Sequence, residues 1–89
     1  EMEIKALGKT FKIKDITYKE RRELHRINAK AFWDGKINPD SYYDVLEKVA
    51  EISGLGEQEF KGLTMIEIDQ VLQATFTSYM GLEKKENGD

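Results

Sequence analysis

Apolar residues alternate with polar ones over residues 3–14, EIKALGKTFKIK: Ile4 and Ala6 come before Leu7-Gly8-Lys9, and Phe11 and Ile13 come after it. A two-residue period turns one face of a strand inward, so this stretch predicts a β-hairpin whose turn uses Gly8 for positive φ. A lone hairpin is marginal in water, and its apolar side must rest on another element. Beyond residue 16 the period lengthens. Leu24, Ile27, Ala31 and Phe32 fall at helical spacing, as do Tyr42, Val45, Leu46, Val49 and Ile52, and then Ile68, Val71, Leu72, Phe76 and Tyr79. Each set gathers into one apolar stripe on a helix. Helices are therefore expected over about 18–33, 39–53 and 65–80.

The residues at the ends of these segments agree. Thr17 with Glu20, and Thr64 with Glu67, have the spacing of a capping box: the threonine oxygen accepts from the third helical N–H, and the glutamate reaches back to the threonine's own N–H. Ile16 and Leu63 stand just ahead, placed to staple the entering chain to the first turn. The middle helix starts with Asn38 as cap and Pro39 at its first position, and Gly35, Gly54 and Gly81 stand where the three patterns end. The link LGEQEFKG is expected to make one helical turn with Phe60 tucked into the core. The expected fold is mainly α, a three-helix domain with a short N-terminal β-hairpin in one unit over residues 1–82. The apolar-free EKKENGD, 83–89, is expected to be a mobile charged tail.

Composition removes most chemistry. The 89-residue chain has no cysteine and one histidine, which leaves no thiolate for a nucleophile, a disulfide or a metal. His25 has no second His or Cys to share a metal with and reads as a helical surface or half-buried residue. Ser41, Ser53 and Ser78 lack a nucleophile elbow, and the glycines are too scattered to cradle a phosphate. The DGKI stretch mimics the centre of a calcium loop, but that register puts Lys30 at the first ligand position, Phe32 at the third and Ser41 at the twelfth. No catalysis, cofactor or metal is expected. No apolar run is long enough to span a bilayer, and the first residues lack a signal peptide's apolar stretch.

Charge changes the picture more than its total suggests. The net charge is −3, yet residues 1–36 hold seven Lys and three Arg against six acids, while residues 37–89 hold four Lys against eleven acids. Lys19, Arg22, Arg26 and Lys30 form a basic stripe on the first helix; Asp40, Asp44, Glu47 and Glu51 form an acidic one on the second. The stripes read either as solvated helix backs or as docking faces. Trp33, Tyr42 and Tyr43 gather around the first interhelical connection, and a chain this small that fails to bury them all leaves an apolar patch for a partner. On the last helix Gln70, Gln73, Thr77 and Ser78 make a nearly uncharged polar face that suits protein contact. A small nucleic-acid-binding regulator using the basic face is the alternative function. Against it stand the acidic total and the lack of aromatics interleaved with the cations.

The layout as a whole resembles the tail assembly chaperones of long-tailed bacteriophages in their short form. The resemblance covers most of residues 3–85 and is carried by a short β start, FKIKDITYKERREL, a WDGK loop, a mid-chain helix, and LTMIEIDQVL followed by an aromatic-bearing helix end and a charged tail. It implies a mostly helical, noncatalytic protein that binds the tape measure protein, keeps its long apolar helices from aggregating and helps recruit tail tube subunits. It also implies action in the cytoplasm of the infected host rather than in the mature virion. Members are commonly made as a longer frameshifted product too, and adjacent Lys84 and Lys85 mark where slippage is expected. The hairpin departs from an all-helical pattern, and its edge offers a route to a homo-oligomer. From the residues themselves, the expected partner-binding surface is Trp33, Tyr42 and Tyr43 with Lys19, Arg22, Arg26 and Lys30.

Overall fold

A computed structural model of the chain describes residues 2–32 and 35–81. Trp33 and the tail beyond Gly81 lie outside the described residues. The chain begins with an antiparallel hairpin of β1 (Met2–Ala6) and β2 (Lys9–Ile13), in which Ile4 pairs with Phe11 and Met2 with Ile13. Only Leu7 and Gly8 join the strands, with φ of 57° and 70°. Positive φ at both central residues is the type I′ turn, whose twist matches that of the flanking strands. The expected glycine is there, but Leu7 is recruited into the left-handed region as well. That conformation costs a residue with a Cβ about 1–2 kcal/mol. Its half-buried side chain packs against the core and offsets the strain.

Among the described residues four helices follow: α1 (Tyr18–Ala31), α2 (Pro39–Ser53), the single turn α3 (Glu57–Phe60) and α4 (Met65–Met80). The fold is mainly α with a short hairpin, as the periodicities predict. Both capping boxes form in full. Glu20 N–H donates to Thr17 Oγ1 at 3.1 Å while Thr17 N–H donates to Glu20 Oε1 at 3.0 Å; the matching distances at Thr64 and Glu67 are 3.1 and 2.9 Å. At α3, Gly56 N–H donates to Glu59 Oε1 at 2.8 Å, which is half of the same device, since glycine has no side-chain oxygen to return. Ser41 N–H donates to Asn38 Oδ1 at 3.2 Å at the head of α2.

One boundary differs from expectation. α1 stops at Ala31 because Phe32, at φ −122° and ψ 43°, leaves the helical region. The freed Ala31 carbonyl accepts from Asn38 N–H at 2.8 Å, closing the loop to α2. Phe32 is thereby turned out of the core and is 46% exposed.

The core lies where α2 meets α1 and α4, with the hairpin laid on α4. Ile13, Leu24, Val49, Val71 and Thr75 are its largest fully buried side chains. Thr75 avoids an orphaned hydroxyl by donating to the Val71 carbonyl one turn back at 2.9 Å. Two bonds strap the hairpin's exit to the helices: Lys14 N–H donates to the Ser53 carbonyl at 3.0 Å, and Tyr79 Oη–H donates to the Lys14 carbonyl. Because each capping threonine satisfies an end N–H that otherwise faces water, Thr17→Ala and Thr64→Ala are each expected to cost about 1 kcal/mol. The check is urea denaturation, in which the midpoint falls and the slope does not change.

Candidate binding surface

α1 and α4 both pack on α2 but touch each other little, so a seam stays open between them. One end of the seam is latched. The Arg21 guanidinium leaves α1 and donates from Nε to the Tyr79 carbonyl at 3.2 Å and from Nη2 to the Met80 carbonyl at 3.3 Å. These carbonyls belong to the last turn of α4, where the helix dipole leaves partial negative charge and no basic residue of α4's own stands. Beside the latch, Tyr18, Arg21, Arg22, His25 and Met80 line a shallow depression. Arg22 Nη1 donates to His25 Nδ1 at 3.1 Å, and since a guanidinium only donates, this contact requires a neutral imidazole with its proton on Nε2.

Further along the seam opens a cleft of about 320 Å³, lined by Asn28 of α1 and Phe32 just beyond it, Gln73, Phe76 and Thr77 of α4, and Tyr42 of α2, with Val45 and Leu46 also lining it. Val45 and Leu46 are each 3% exposed, so its lining there is core surface. Gln73 Nε2–H donates to Tyr42 Oη at the rim.

The structure divides the surface expected from sequence. Tyr42 and Tyr43 do come together, edge to face with centroids 5.3 Å apart. They point to different tasks, however. Tyr42 lines the cleft, while half-exposed Tyr43 donates to Asp69 Oδ2 at 3.2 Å, a bond to a carboxylate that raises its pKa above the ordinary value. Lys19, Arg22, Arg26 and Lys30 are all exposed on α1; the first three line a separate depression with Tyr18 and Glu23.

The two charged stripes do not meet each other. Among the described residues, the ion pair joining α1 to α2 runs the opposite way, from Glu23 on the basic helix to Lys48 on the acidic one at 3.5 Å, with Glu51 closing on Lys48 at 3.1 Å. Glu51's bond holds the Lys48 ammonium above its ordinary pKa, against a smaller opposing effect of burial. Two contributors escaped the sequence reading. Arg21 carries no local signal of its role, because its partners lie 58 and 59 residues away. Phe76 reads by period as core, yet it is half-buried and lines the cleft; Gln73 and Thr77 beside it belong to the uncharged face already marked out.

Among the described residues no group of three His, Asp or Glu is placed to hold a metal ion, and no helix is long and apolar enough to cross a membrane. No protein-family model, curated protein or solved structure matches the chain.

The Tyr79 phenol carries a pH signature. Burial pushes the Tyr79 phenol up to about 12, helped by the nearby Glu20 and Asp15 carboxylates. An unfolded tyrosine ionises near 10. Between those values the folded chain holds more protons than the unfolded one, so this group's contribution to stability is full below pH 10 and is lost as pH climbs towards 12. Urea midpoints at about pH 9 and pH 11 are expected to fall less for Tyr79→Phe than for the unsubstituted chain. At neutral pH the same substitution is expected to cost about 1 kcal/mol, because the Lys14 carbonyl loses its donor.

Proposed function

We propose that this chain is a noncatalytic assembly chaperone of the phage tail kind, holding amphipathic helical segments of a tape measure protein in the host cytoplasm and helping tail tube subunits to join. The observation that carries the reading is the cleft between α1 and α4, lined in part by core residues and edged by Phe32, Tyr42 and Phe76. Apolar grooves between helices are where amphipathic helices dock, with anchors at helical spacing filling the groove and polar positions left to solvent. The polar groups at its edge, Asn28, Gln73 and Thr77, carry no charge that a client's apolar face would have to desolvate. Recognition by shape and apolar area suits a long, repetitive client better than a single reactive site would.

A second reading has its own observation. No ion pair engages Lys19, Arg22, Arg26 or Lys30 among the described residues, which leaves them available to phosphates as a nucleic-acid-binding regulator would use them. The two readings separate cleanly. Co-expression with a tape measure protein is expected to keep that client soluble in a complex that purifies with the chain; an insoluble client and no complex would end the first reading. Binding of an oligonucleotide that weakens steeply with added salt, as counterion release demands, would favour the second, and a salt-independent response would remove it.

A further inference from the structure

The depression beside the latch and the cleft beyond it lie on one line. His25 and Asn28 follow each other along α1 with Phe32 just past its end, and Gln73, Thr77 and Met80 follow each other along α4 at three- and four-residue steps. From Tyr18 to Ala31 the seam runs about 20 Å at 1.5 Å per residue, enough for roughly four turns of a bound helix. Its ends differ in chemistry. The Phe32 end is apolar, with Val45 and Leu46 beneath. The Tyr18 end is cationic: Arg21 is spent on the α4 carbonyls, whereas Arg22, which lines the depression there, has no carboxylate within ion-pair distance among the described residues.

We propose that the seam takes a single amphipathic helix of a client chain, seated with its apolar anchors at Phe32, Tyr42 and Phe76 and with an acidic turn at Arg22. The inference rests on the chaperone reading and sharpens it: the client segment is defined by about four turns, an apolar stripe, and Asp or Glu concentrated at one end. The charge fixes which way the client lies. The apolar stripe alone binds in either direction, so a cation at one end of the seam breaks that tie.

The test uses a fluorescently labelled helical peptide of about 15 residues, with leucines at helical spacing and glutamates in its last turn, and a twin with lysines in place of those glutamates. Anisotropy titrations with the chain are expected to show the acidic peptide binding and the lysine twin binding roughly tenfold more weakly. Phe32→Ser and Arg22→Glu change exposed side chains and are expected to keep the melting temperature of the unsubstituted chain, while each weakens the acidic peptide about tenfold. On Arg22→Glu the order of the peptides reverses, and the lysine twin binds more tightly. A merely structural role for Arg22 would not produce that reversal.

Equal binding of the two peptides, absence of binding, or displacement of neither by the two substitutions would overturn the proposal, as would an oligonucleotide binding through Arg22 where the peptide does not. Co-expression separates this failure from that of the chaperone reading. A soluble client complex that survives Phe32→Ser and Arg22→Glu removes the seam and leaves the chaperone, whereas peptide binding without any client complex does the reverse.

Discussion

The meeting of Tyr79 with Lys14 and Arg21 is the contact on which the rest of the architecture turns. The Tyr79 phenol reaches the hairpin's exit through the Lys14 carbonyl, and the Tyr79 backbone carbonyl receives Arg21 from the first turns of α1. One residue near the end of α4 therefore joins the hairpin's exit to α1. A helix terminus without a basic residue of its own finds its counter-charge on another helix, and a buried hydroxyl finds an acceptor instead of water. Pinned there and loosely packed elsewhere, α1 and α4 leave room between them over α2. The cleft is thus a consequence of how the small core is shared out, with α2 taking the largest share of the burial and the two outer helices facing each other across it.

Local signals made most of this fold readable. The change from a two-residue to a 3.6-residue period separates the hairpin from the helices, and the Thr-x-x-Glu pairs place two helix starts where reciprocal hydrogen bonds form. These features depend on neighbours three or four residues away, and the sequence displays such neighbours directly. What was hidden depends on distant ones. Leu7 entered the left-handed turn because a two-residue connection needs positive φ twice, and the alternation pattern records only how far apart the strands are. Phe32 has helical spacing but lies past the last helical residue, so the period assigned it inward while the chain path turned it outward. The aromatic cluster was half legible for the same reason: Tyr42 and Tyr43 are adjacent, but adjacent residues on a helix point about 100° apart and cannot serve one surface equally.

The electrostatics teach a related lesson. Complementary stripes on successive helices suggest mutual pairing, yet among the described residues no ion pair joins one stripe to the other. The cross-helix contact uses the minority charge of each helix, Glu23 and Lys48, at the edge of the packed interface. Exposed pairs of this kind contribute little to stability, so selection on the fold alone gives no reason to hold the majority charges in register.

The wide sequence separation of the Tyr79–Lys14 bond bears on the order in which the structure is completed. The two residues are 65 positions apart, with α1, α2 and α3 between them. Contacts of that range are slow to close, so α1 and α2, adjacent in the chain, can pair before α4 arrives. Until it does, the hairpin's apolar face has no α4 to settle on, and the folding chain is an unfinished helical pair beside an uncovered strand face.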